Sequence, residues 1–176
     1  MQKEEQKHAD EIVISDTCCL ITFEKINRLE LLNYLYSNIY ITPEVLKEYE
    51  DGGSKIPSFI KIKEVKNKED ISKYLHMGLH RGEASSLALY KECKNPLLLT
   101  DDADAREYAK ANNLNYTTTL DILVECRDLD YIKSNKELYN ALDDLGTKKR
   151  WMPKEVIDKI KEKYKFDGQK IIDNDK

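Results

Sequence analysis

The sequence predicts a three-layer α/β/α fold with a central, mostly parallel sheet of four to five strands and a C-terminal helical hairpin. Three observations carry that prediction. Residues 12–15 (IVIS), 38–41 (NIYI), 97–100 (LLLT) and 114–117 (LNYT) are runs too short for a helix and read as buried strands. Helical patterns lie between and beside them, over residues 28–36, 43–49, 69–75, 83–93 and 103–112. Such alternation makes a parallel sheet covered on both faces. From residue 134 the pattern changes to two helices, residues 134–145 and 153–165, joined by residues 146–152.

Local signals place several boundaries. Thr42 is suited to cap a helix whose first residue is Pro43, and Asn95-Pro96 closes the helix before LLLT. Asp51-Gly52-Gly53-Ser54 is a loop. Phe59 to Val65 (FIKIKEV) alternates apolar and charged residues, as a half-exposed edge strand or a hairpin arm does. The expected organisation is one α/β domain over residues 1–130, with residues 131–176 as a helical extension packed on it. The last residues, IIDNDK, have nothing in their composition to tie them down.

A chain of 176 residues can bury a core without disulfides or metal staples. With 40% hydrophobic and 35% charged residues it is too apolar for disorder and too polar for a membrane protein. No apolar stretch approaches the ~18 residues of a membrane span, and no export signal is visible, so a cytoplasmic location is expected. Cys18, Cys19, Cys93 and Cys126 show no C-x-x-C spacing and read as reduced structural thiols. The net charge of −4 argues against a large nonspecific nucleic-acid binder. It leaves room for an enzyme with a local basic surface and an acidic metal pocket.

In an open parallel sheet, ligands collect at the carboxyl ends of the strands. Acids recur there: Asp16 follows IVIS, Asp101 and Asp102 follow LLLT, Glu48 lies in the helix after NIYI, and Glu83 starts the helix 83–93. Each also has a bland reading. Asp16 and Asp102 suit helix N-caps, Glu83 suits the positive end of a helix dipole, and Glu48 suits a solvated helix face. Gathered on one rim, however, like charges repel unless a cation joins them, and hard oxygen donors select Mg²⁺ or Mn²⁺. His76 and His80 lack a cysteine nearby in sequence and read as surface or packing residues rather than zinc ligands.

The chain resembles the PIN-domain family, and within it the VapC-like toxin ribonucleases with a C-terminal helical extension. The resemblance covers roughly residues 12–127: IVISDTCCLI, ITPEVLKEY, GLHRGEASSLALY and LLLTDDADAREYAKANNLNYTTTLDIL. Its more specific parts are Arg81-Gly82-Glu83-Ala84 and Thr100-Asp101-Asp102. The resemblance implies metal-associated, catalytic acids at Asp16, Glu48, Glu83 and Asp102, with Asp101 competing for the last place. It implies that Thr17 and Thr119 position water or phosphate. The motif Asp-Thr-Cys at residues 16–18 departs from the commoner Asp-Thr-Ser, which removes a hydroxyl at Cys18.

The implied activity is hydrolysis of RNA by a Mg²⁺- or Mn²⁺-dependent endoribonuclease, leaving 5′-phosphate and 3′-hydroxyl ends. A small protein antitoxin and a second copy of the chain are the further partners the resemblance admits. Arg81, Arg106 and Lys110 are candidate phosphate contacts, the last two on one helix face, with solvated surface charge as the alternative. Residues 148–165 hold eight basic residues against three acids, a surplus suited to guiding RNA or simply to a solvated amphipathic helix. Two rivals remain in view. A silent PIN module would bind RNA or protein without cutting, and a receiver-type signalling domain would need an acidic pair after the first strand, where this chain has Asp16-Thr17-Cys18-Cys19.

Overall fold

Val13 and Ile14, successive residues that point to opposite faces of a strand, are both fully buried. This is the signature of a central strand covered on both sides. The computed structural model describes residues 8–148 and 154–165. Its elements are β1 (His8–Ser15), α1 (Thr17–Lys25), α2 (Glu30–Leu35), β2 (Tyr36–Ile41), α3 (Pro43–Asp51), β3 (Ile60–Ile62) and α4 (Lys68–His76). There follow α5 (Arg81–Glu92), β4 (Leu97–Leu99), α6 (Ala103–Ala111), β5 (Tyr116–Thr117), α7 (Thr119–Asp128), α8 (Asn135–Lys148) and α9 (Lys154–Lys163).

The five strands form one sheet in the order β3-β2-β1-β4-β5, and every neighbouring pair is parallel. The fold is the α/β architecture expected, with five strands. Helix α5 packs on β1 and β4. Its small residues Ala84, Ser85, Ser86 and Ala88 are all buried and let it approach closely. Leu87, Leu89, Ile14 and Leu98 form the apolar core around it, joined by Tyr74 of α4.

The expectations differ from the structure in several places, among them residues 119–128, which carry no predicted element and form α7, and Tyr36, which opens β2 instead of ending a helix. Residues 17–25, given no element from the sequence, form α1. Their apolar and β-branched residues show no single helical stripe, and the helix is started by the Asp16 cap rather than by periodicity. The segment around residue 60 is an edge strand but not a hairpin arm, because α3 carries the chain back across the sheet and β3 joins β2 in parallel. Strand β5 is only Tyr116–Thr117, and Leu99 rather than Thr100 ends β4. On the edge strand, Ile62 is 49% exposed. The ammonium groups of Lys61 and Lys63 sit over the Tyr40 ring, 5.7 and 5.2 Å from its centroid.

The chain divides into two compact units, at Ile122 and Leu123. In the second, α8 and α9 pack together, and the Tyr139 hydroxyl donates to the carbonyls of Lys161 (2.5 Å) and Tyr164 (2.6 Å). Ile157 is buried there, and a Cβ on Gly146 would lie 3.3 Å from its Cδ1. Several cations of this unit are already engaged. Lys161 pairs with Asp143, Lys165 with Glu162 at 3.5 Å, and Lys163 bonds the Tyr164 hydroxyl at 3.1 Å. Most of the connector between α8 and α9 and the final IIDNDK lie outside the described residues. Among the described residues no helix is long and apolar enough to cross a membrane.

Candidate active site

Strands β1 and β4 are neighbours, yet the chain leaves β1 toward β2 and leaves β4 toward β5, in opposite directions. Their carboxyl ends therefore flank a crevice of the kind in which α/β sheets bind ligands. The Asp16 N–H donates to the Leu99 carbonyl at 3.1 Å, which ties the two strand ends together. Asp16 is 2% exposed. Its Oδ1 accepts the Cys19 N–H at 2.9 Å, so it does cap α1, and its Oδ2 accepts the Thr100 hydroxyl at 2.5 Å. Burial pushes its carboxyl up to about 7, against the pull of those two bonds and with help from the charges of Asp101 and Glu83.

A cap needs no such burial among like charges. That cost makes Asp16 a candidate site residue as well as a helix cap. The same hydroxyl of Thr100 accepts the Asp102 N–H at 3.2 Å, so one side chain links the ends of β1 and β4 to the start of α6. Asp102 caps α6 through Oδ1, which accepts the Ala105 N–H at 2.8 Å. Asp101 points elsewhere. It is buried, with Oδ1 accepting the Thr119 N–H at 2.9 Å and Oδ2 the Thr119 hydroxyl at 2.7 Å. It thus holds the first residue of α7.

Glu48 reaches the cluster from α3, which starts at Pro43 under a Thr42 cap, as its sequence dictates. Its Oε2 accepts the Thr17 hydroxyl at 2.6 Å and its Oε1 accepts the Gly82 N–H at 3.0 Å. A Cβ on Gly82 would stand 2.4 Å from Glu48 Oε2 and 2.9 Å from Thr17 Oγ1. Only glycine leaves room for the carboxylate. Helix α5 is fastened beside it by Ser85, which donates to the Gly82 carbonyl at 2.9 Å and pairs with Thr42 at 2.7 Å, and by Ser86, which donates to the Ser15 carbonyl at 3.3 Å.

Glu83 follows on α5, with Oε2 accepting the His80 N–H at 2.7 Å. Its carboxyl is raised, first by burial and then by the charges of Asp102 and Glu48. Asp16, Glu48, Glu83, Asp101 and Asp102 therefore share one electrostatic neighbourhood. The basic residues are less concentrated. The Arg106 Nε donates to the Asp102 carbonyl at 3.2 Å, Lys110 lies one turn further along α6, and Arg81 is exposed at the first position of α5.

The donor set fits a hard divalent cation in kind: carboxylate oxygens from several elements, held close enough to repel. As they stand, among the described residues, no three of these side chains form a group that could hold a metal ion. Asp16, Glu48 and Asp101 each have both oxygens on protein donors. Sequence reasoning passed over Gly82 and Thr100 as site residues, although both lie in the two most specific runs. A glycine near the start of a helix costs ~1 kcal/mol against alanine, a penalty that asks for a reason. The close approach of Glu48 supplies it.

A family model described as a PIN domain matches residues 12–165. The chain belongs to the PIN-domain family. The match extends from β1 through α9 and so takes in both units of this PIN domain. PIN domains are commonly nucleases and generally use divalent metal ions. No curated protein and no solved structure matches the chain.

Proposed function

We propose that this PIN domain is a metal-dependent endoribonuclease that hydrolyses RNA phosphodiester bonds, acting in the cytoplasm as the VapC-like toxin of a toxin–antitoxin pair. The observation that carries the nuclease reading is the interlocked set of acids at the β1–β4 crevice: Asp16 joined to Asp102 through Thr100, with Glu48 lodged against Gly82.

Asp16, Glu48, Glu83 and Asp102 would hold the cation, either Mg²⁺ or Mn²⁺. When bound, a divalent ion neutralises charge on the reacting phosphate and makes a water molecule more acidic. The chain's residues supply orientation. Thr17 and Gly82 fix the Glu48 carboxylate, and Thr100 fixes that of Asp16. Glu83 would face the cation from the start of α5, where its Oε2 accepts the His80 N–H. Asp101 acts through Thr119, keeping the start of α7 at the rim. Arg81, Arg106 and Lys110 contact phosphates of the strand, and a small antitoxin or a second copy of the chain is the protein partner.

A silent module that binds RNA or protein is the second reading, favoured by the full engagement of Asp16, Glu48 and Asp101. One experiment separates the two: purified protein with structured RNAs in Mg²⁺, in Mn²⁺ and in chelator, beside Asp16→Asn and Glu83→Gln. Cleavage that needs metal, returns when metal is restored, and is lost in both folded variants supports the enzyme. RNA binding with no cleavage in any metal supports the module.

A further inference from the structure

Lys63 follows the last residue of β3, and Cys93 follows the last residue of α5. Although 30 residues separate them, their side chains meet: the Lys63 Nζ donates to Cys93 Sγ at 3.5 Å. The fold fixes this contact from both sides. The Lys63 N–H donates to the Ile41 carbonyl at 2.9 Å, which holds its backbone at the end of the sheet. Two residues on, Val65 is buried in the apolar core that α5 shares. The N–H groups of Lys66 and Asn67 both donate to Glu92 Oε1 at 2.8 Å, and Glu92 immediately precedes Cys93. The lysine side chain is steered in turn by the Tyr40 ring, whose centroid lies 5.2 Å from Nζ.

An amine held against a thiol has a chemistry that neither group has alone. A peroxide converts a thiol to a sulfenic acid, whose sulfur is open to attack by nitrogen. Reacting atoms about 3–3.5 Å apart are already in near-attack range, and the tether of a single fold replaces a chance encounter. Cys93 is half-buried and so within reach of a small oxidant, whereas Cys19 and Cys126 are fully buried.

We propose that Lys63 and Cys93 form a reversible, peroxide-driven cross-link, a sulfenamide bond between Sγ and Nζ. Hydrogen peroxide oxidises the Cys93 thiol to the sulfenic acid and is itself reduced to water, so sulfur gives up the electron pair that peroxide gains. The Lys63 amine, its extra proton released to solvent, then attacks that sulfur. The S–N bond forms, the S–O bond breaks, and the hydroxyl leaves with a proton of the amine as water. An added thiol reverses the link by attacking the sulfur and expelling the amine. The bond closes a covalent ring over residues 63–93, which contains α4 and α5 and with them Gly82 and Glu83. The inference stands apart from the nuclease reading, because it needs neither metal nor RNA.

The test treats the full chain with hydrogen peroxide, caps remaining thiols, cleaves at acidic residues and weighs the peptides. The peptides that carry Lys63 and Cys93 should appear joined, lighter by two hydrogens than their sum, and should part in dithiothreitol. The oxidised chain should melt about 5–10 °C higher than the reduced one, and dithiothreitol should abolish the rise. Lys63→Arg keeps the positive charge but not the amine. It should yield no joined peptide and no rise in melting temperature, and its Cys93 should instead be trapped as a sulfenic acid by dimedone. Cys93→Ser should yield neither product, and melting curves of the reduced variants certify that they fold. Native chain whose Cys93 stays a thiol under peroxide, or is trapped entirely by dimedone with no joined peptide, overturns the cross-link. So does a joined peptide that persists in Lys63→Arg.

Discussion

The Cα of Gly82 faces the carboxylate of Glu48 so closely that a methyl group there would stand 2.4 Å from Oε2. The atom in the way is the far end of a flexible side chain, so Gly82→Ala should displace Glu48 rather than unfold α5. Alanine also gains up to ~1 kcal/mol of helix propensity. The expected variant is as stable as the native chain within about 1 kcal/mol, yet cuts RNA ~10²-fold more slowly, since a misplacement of ~1 Å suffices for that loss. Melting curves and an RNA cleavage assay check it.

The burial of Asp16 predicts a stability that falls with rising pH. The folded carboxyl takes up its proton at about 7, whereas the ordinary value is 3.8. Between those values the folded state holds a proton that the unfolded state has released, so metal-free protein gains stability as pH drops from about 7 toward 4. The gain is at most about 4 kcal/mol. Asp16→Asn, which keeps an oxygen for the Cys19 N–H, should flatten this dependence and melt higher than the native chain at pH 7.5 without metal. It should also show a smaller rise in melting temperature on adding Mn²⁺. Denaturation in chelator from pH 4.5 to 8 tests the sign.

Thr100 should matter through its hydroxyl. Thr100→Val removes the donor that favours ionised Asp16 and strands the Asp102 N–H, costing ~1–3 kcal/mol. With that donor gone, the Asp16 carboxyl rises further, so the acid limb of the cleavage profile should move to higher pH. Thr100→Ser should restore both the limb and the stability. A pH–rate profile that is the same for the valine variant and the native chain would count against the link.

Two adjacent acids should part in behaviour. Asp102→Asn retains a good helix cap and should leave the metal-free melting temperature nearly unchanged while removing most of the stabilisation by Mn²⁺. Asp101→Asn presents an amide to one of the two Thr119 donors and should destabilise by ~1–3 kcal/mol with metal or without. Melting both variants with and without Mn²⁺ decides which carboxylate serves the cation and which serves the fold.

Much of the architecture was legible because parallel strands bury both faces: IVIS and LLLT show unbroken apolar runs that only a covered sheet explains. The rim position of Asp16, Asp101 and Asp102 was legible for a related reason, since parallel strands bring the residues after their carboxyl ends to one rim. What stayed hidden depends on distance between remote segments. Nothing in a linear pattern says that Glu48 will press against Gly82, or that Thr100 will bond both Asp16 and Asp102. Helix α1 was missed because its start is set by a buried cap, and β5 was drawn too long because Leu114 and Asn115 share its flavour but not its pairing.

The edge strand β3 bears on how copies of this protein meet one another. A flat, apolar edge invites a second molecule to add its own strand, which is the first step of aggregation. Here the edge is three residues long, and Lys61 and Lys63 bracket Ile62 while lying across the ring of Tyr40. Two such edges brought together would set lysines against lysines and strip them from the aromatic face that holds them. Like-charge repulsion thus keeps the β3 margin of the sheet from becoming adhesive.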